Sequence, residues 1–74
     1  MVTHEDVLHT LEGADVSTPV ADLKLDIPLI SQGLDSLDMA TVMLALEAKY
    51  NKAIRPEQAS RLRTVADIVT FLNS

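Results

Sequence analysis

The chain has 74 residues, no cysteine, a formal net charge of −5 at pH 7 and a hydrophobic content of 47%. That length suits one domain, residues 1–74, with a single core supplying about 3–5 kcal/mol of net stability. Lack of cysteine excludes disulfides, protein thiolate nucleophiles and most zinc sites, and the acidic balance argues against nucleic acid, whose phosphates recruit basic surfaces.

Tyr50 and Phe71 are the only aromatics, so the interior must be built from Leu, Ile, Val, Ala and Met. No charged leader precedes an apolar stretch, and no apolar run nears the ~20 residues needed to span a bilayer. A cytoplasmic protein is expected.

Taken in chain order, Thr3 reads as the N-cap of a first, short helix. Asp6 follows three residues on, and Val7, Leu8 and Leu11 form a narrow apolar stripe until Gly13. His4 and His9 lie on this helix five residues apart, not the four that would put two metal ligands on one face, so they read as solvated.

From Gly13 to Leu34 the chain carries Pro19, Pro28 and Gly33 without clear periodicity, a connection longer than compact domains usually contain. Val16, Val20, Leu23, Leu25, Ile27, Leu29, Ile30 and Leu34 give it surface to bury, which predicts an ordered loop packed across the other elements. Leu25-Asp26-Ile27 alternates as a strand would, but no second alternating run exists to pair with it.

At Gly33-Leu34-Asp35-Ser36-Leu37-Asp38 the loop gives way to an uninterrupted apolar run with helical spacing that ends at Tyr50. Asp35 is the N-cap, Ser36 the first helical residue, and the Asp38 carboxylate meets free amides and the positive end of the helix dipole. On a wheel of ~100° per residue, Met39, Val42, Met43, Leu46 and Tyr50 share one side. Leu37, Ala40, Leu44 and Ala48 form a second apolar strip, with Thr41 beside it. The first strip, with the larger Tyr50, is expected inside. The second is expected to face partners as a small apolar patch with a polar rim.

Pro56 suits the first position of a short third helix, with Glu57 in its first turn and Ala59 and Leu62 turned inward. Thr64 then caps a last helix with Asp67 three residues on and Val65, Ile68, Val69 and Leu72 as its inward stripe. Lys49, Lys52, Arg55, Arg61 and Arg63 read as a solvated face. Residues 1–35 hold seven acidic side chains and one lysine, net −6, against four acidic and five basic in the remainder, net +1. Acidity is thus concentrated ahead of Ser36.

The first amides of a helix lack partners within it, so an anionic group on Ser36 would be partly compensated there. Asp35 and Asp38 would repel such a group and suit recognition by a basic partner better. The residues alone leave Ser36 open between local hydrogen bonding and covalent modification. A catalytic serine fails for want of a Gly-x-Ser-x-Gly motif and of any imidazole beyond His4 and His9.

Gly-Leu-Asp-Ser-Leu at the start of the longest helix, near the middle of a short acidic chain, resembles the acyl carrier protein family over nearly the whole sequence. The resemblance implies an all-α four-helix bundle with a long loop between the first and second helices and a short third helix. It also implies a non-catalytic carrier, the substrate of a phosphopantetheinyl transferase, with 4'-phosphopantetheine esterified to Ser36 and acyl chains held as thioesters for fatty acid or polyketide synthesis enzymes.

Asp35, Leu37 and Asp38 would then guide the transferase, and Ala40, Thr41, Leu44 and Ala48 would meet the loading and chain-extending enzymes. A monomer is expected, and any Mg²⁺ belongs to the transferase reaction. Thr41, Ala48 and Lys49 stand where the family often shows carboxylates, and Gly33-Leu34-Asp35-Ser36 is similar to the form found in polyketide and peptide synthase carriers. A specialised pathway follows as an expectation, with Leu37 and Leu44 weighing more than charge in docking. An aminoacyl or peptidyl carrier shares every one of these features, and a helical interaction module without a prosthetic group is the alternative from another class. Amide shifts at Met43, Leu46 and Val65 would mark entry of a chain into the core.

Overall fold

A computed structural model describes every residue except Asp15 and Ser17. Four α-helices occur among the described residues: α1 (His4–Gly13), α2 (Ser36–Tyr50), α3 (Pro56–Ala59) and α4 (Val65–Leu72). No strand is present among them, so Leu25-Asp26-Ile27 is not part of a sheet. The all-α architecture and the helix order match the expectation from sequence.

Three helices begin with the same reciprocal cap. Thr3 Oγ1 accepts from the Asp6 amide at 3.2 Å while Asp6 Oδ2 accepts from the Thr3 amide at 2.9 Å. The pairs Asp35/Asp38 and Thr64/Asp67 repeat this at the starts of α2 and α4. Each cap satisfies two amides that the helix itself leaves unpaired. Pro56 opens α3, as its fixed φ and missing amide hydrogen favour. Asn51, in the left-handed region at φ 50°, terminates α2.

α1 packs against both α2 and α4. The core consists of Val7 and Leu11 from α1, Val42 and Leu46 from α2, Val65 and Ile68 from α4, Leu62, and three leucines of the long connection, Leu23, Leu29 and Leu34. Met39, Met43 and Tyr50 pack against its edge, as does Leu72. Burying Leu29 and Leu34 completely stabilises the fold by about 1.5–3 kcal/mol each before the entropy of ordering the loop is counted.

The connection contains two short 3-10 turns, Val20–Asp22 and Leu29–Gln32, that hydrophobic periodicity does not reveal. A proline stands immediately before each, Pro19 and Pro28, and this is the sequence signal that could have located them. With three residues per turn, successive side chains point about 120° apart. Leu29 therefore turns fully inward while Ile30 is left 65% exposed, and Leu25 and Ile27 are also exposed rather than buried.

Polar ties fix the path of this connection. The Leu29 amide donates to the Arg63 carbonyl at 2.8 Å, and the Ala66 amide to the Leu25 carbonyl at 3.0 Å, joining the loop to the start of α4. Gln32 clamps the loop to itself. Its Oε1 accepts from the Lys24 amide at 2.6 Å, and its Nε2 donates to the carbonyls of Lys24 and Ile27 at 3.0 and 2.8 Å.

Lys52 departs from the solvated-face reading. Its Nζ donates to the carbonyls of Phe71 and Ser74 at 2.8 and 3.2 Å and lies 4.6 Å from the centroid of the Phe71 ring. A cation there meets the negative end of α4 and an aromatic face together.

Candidate functional site

The approach to Ser36 is built by three consecutive residues with different duties. Gly33 sits at φ 105°, where an added Cβ would lie 2.7 Å from Thr18 Oγ1, so both backbone conformation and space call for glycine. Leu34 is 1% exposed and anchors the segment in the core. Asp35 then takes an extended conformation and caps α2.

With the chain pinned on one side by Leu34 and on the other by the cap, Ser36 is left exposed at the first helical position. Its hydroxyl makes no hydrogen bond to any described residue. This contrasts with Thr41, whose Oγ1 donates to the Leu37 carbonyl at 3.0 Å. The positive end of a 15-residue helix lies against Ser36. An anion placed there gains about 0.3–1 kcal/mol from the dipole. The hydroxyl is therefore free to be esterified without breaking an internal bond, and the local field tolerates a phosphodiester.

The two flanking carboxylates are turned back onto backbone amides, Asp38 Oδ2 accepting from Asp35 at 3.2 Å and Asp35 Oδ1 from Asp38 at 2.8 Å. Asp35 is exposed and Asp38 half-buried, so of the two the N-cap is the more open to another protein.

Behind Ser36, α2 divides as its sequence predicts. Val42 and Leu46 are sealed in the core. Leu37 and Leu44 stand 77% and 67% exposed, and Ala40, Thr41 and Ala48 are exposed with them. Leu37, Thr41, Leu44 and Ala48 recur at helical spacing, so the strip runs along one side of the helix, beginning next to Ser36. Leu37 and Leu44 lie seven residues, about 10 Å, apart and are the large apolar side chains this strip exposes.

His4 and His9 are both exposed on α1. Among the described residues no three of the His, Asp and Glu side chains converge as metal ligands would, and no helix is long and apolar enough to cross a membrane. Sequence reasoning placed Gly33 in the motif without giving it a conformational role and did not single out Gln32, though both hold the segment that delivers Ser36. The left-handed glycine one residue before the buried leucine was the more legible of the two.

A family model described as "phosphopantetheine attachment site" matches residues 6–72 of this chain. The match takes in Ser36, the exposed strip and all four helices apart from the first two residues of α1.

Proposed function

Because the chain belongs to the phosphopantetheine attachment-site family, whose members bind 4'-phosphopantetheine covalently, we propose that Ser36 Oγ is the point of attachment and that the protein is a non-catalytic acyl carrier. The observation that carries this reading is the exposed, unbonded hydroxyl at the first position of α2, within the matched span. Once bound, the group supplies a thiol on which acyl intermediates are held as thioesters for fatty acid or polyketide type synthesis.

The chain's own residues contribute presentation. Asp35 and Asp38 hold the start of α2 rigid, so Ser36 is offered to a phosphopantetheinyl transferase in one orientation. Leu37 and the exposed Asp35 carboxylate flank the hydroxyl and meet the transferase first. Ala40, Thr41, Leu44 and Ala48 give the loading and chain-extending enzymes an apolar surface. A long tether keeps the cargo at high effective concentration for the enzyme that has docked, so affinity for each partner can remain weak and exchange rapid. We place the carrier in the cytoplasm, as a single-domain monomer.

Incubation with coenzyme A and a broad-specificity phosphopantetheinyl transferase, read by intact-mass spectrometry, tests the assignment. The native chain should gain one arm, and Ser36→Ala none while keeping the same helical circular dichroism. An unmodified native chain would leave an interaction module without a prosthetic group as the better reading. Loading the arm separately with acyl and aminoacyl units, then offering each to its own class of synthase, separates an acyl carrier from an aminoacyl or peptidyl one.

A further inference from the structure

Of the positions where a chain entering the core would first be looked for, Leu46 and Val65 are fully buried and Met43 is half-buried. An opening lies beside the start of α2. A cleft of about 250 Å³ has apolar walls formed by Pro28, Ile30, Met39 and Leu62, and Ser60 and Arg63 also line it. Met39 lies three residues after Ser36 on α2, one turn away, where side chains are neighbours.

Arg63 is the one charged residue of this lining. Its guanidinium Nε reaches only the Ser60 carbonyl, at a long 3.5 Å, and no carboxylate of the described residues is within ion-pair reach. The backbone of Arg63 is engaged, its amide with Asp67 Oδ2 and its carbonyl with the Leu29 amide, whereas the charged end of the side chain has only the long contact with Ser60.

We infer that this cleft receives the body of a tethered acyl unit that ends in a carboxylate, and that Arg63 selects such cargo. The inference rests on the reading of Ser36 as the attachment point. The apolar walls suit a short run of methylenes and nothing polar. A guanidinium is planar, permanently charged and matched to a carboxylate by two parallel hydrogen bonds.

At the mouth of the cleft such a pair is strengthened by the apolar walls while keeping part of its hydration, which avoids the full cost of burying two charges. A methyl-ended chain would gain from the same walls but would leave the guanidinium unmatched. Asp35 and Asp38 beside the attachment point, and the net −6 of residues 1–35, would repel an anionic cargo. Arg63 is placed to offset that repulsion where the cargo lies.

The test compares two cargoes of equal length, adipoyl and hexanoyl, transferred onto the chain from their coenzyme A thioesters. Nitrogen-15 spectra and thioester hydrolysis rates are recorded for each. Adipoyl should move the Arg63 Nε–Hε signal together with the amides of Ile30, Met39 and Leu62, and hexanoyl should leave the Arg63 signal in place. Arg63→Gln, which keeps both backbone hydrogen bonds, should speed hydrolysis of the adipoyl thioester about threefold and leave the hexanoyl rate unchanged. Arg63→Lys should restore part of the protection, since charge returns without the fork. Equal responses to both cargoes, or an adipoyl rate indifferent to Arg63→Gln, would overturn the inference while the carrier reading stands. A chain that accepts neither cargo would overturn both, and its unchanged mass would identify that case.

Discussion

Replacing Gly33 by alanine tests whether the segment leading to Ser36 is held by backbone geometry. At φ 105° an alanine incurs about 1–3 kcal/mol of backbone strain. Its Cβ would also stand 2.7 Å from Thr18 Oγ1, which must swing away and give up its long 3.3 Å bond to the Gln32 carbonyl. That bond is worth no more than about 0.5–1 kcal/mol.

Together these predict a loss of about 1.5–4 kcal/mol. A chain this size has about 3–5 kcal/mol in all, so the variant should lose a large part of its stability. With a urea dependence of about 1 kcal/mol per molar, the unfolding midpoint followed by circular dichroism should fall by about 1.5–4 M. Thr18→Ala in the Gly33→Ala background removes the colliding oxygen, and Thr18 Cβ at 3.9 Å is in ordinary contact. The double variant should recover about 1 kcal/mol as a coupling energy. A single variant within 0.5 kcal/mol of the native protein would refute the strain argument, and absence of coupling would refute the clash.

Leu46→Ala, at a fully buried position, should destabilise by about 2–5 kcal/mol, whereas Leu44→Ala, at a position 67% exposed, should change stability by less than about 0.5 kcal/mol. Equal urea midpoints for the two would contradict the assignment of the faces of α2. The same Leu44→Ala variant should slow acyl transfer to a docked enzyme more than added salt does; rates that fall steeply with salt and ignore Leu44→Ala would make docking electrostatic.

Gln32→Leu removes three loop hydrogen bonds at a half-buried position and should raise amide exchange at Lys24, whose amide donates to Gln32 Oε1, leaving α4 protected. Unchanged exchange at Lys24 would show that the clamp is not limiting. Hydrogen bonds from the Thr3 backbone, then from its side chain, hold the Asp6 carboxyl below the ordinary carboxylate range. Ionised Asp6 thus favours the fold at pH values above the unfolded-chain value of about 4, and that contribution disappears as pH falls through the lowered folded value. The melting difference between the native protein and Asp6→Asn should therefore be present at pH 6 and vanish in strong acid; a difference constant over that range would refute the assignment.

The helices and the serine are legible in the linear sequence because their causes are local. Thr3 with Asp6, Asp35 with Asp38 and Thr64 with Asp67 are each three residues apart, so the caps follow from chain geometry within one turn. The inward and outward strips of α2 follow from helical spacing, and these place Ser36 at its start and Leu44 outside.

Tertiary structure alone decided which side chains of the long connection turn inward, Leu29 but not Ile30, because that depends on where the chain is tied to the start of α4 through Arg63 and Ala66. It also drew Lys52 from the surface onto the end of α4 and enclosed a cleft between residues as distant in sequence as Pro28 and Arg63. Pattern and propensity act over a few neighbouring residues, whereas these contacts bring together groups whose separation is set only when the whole backbone has folded.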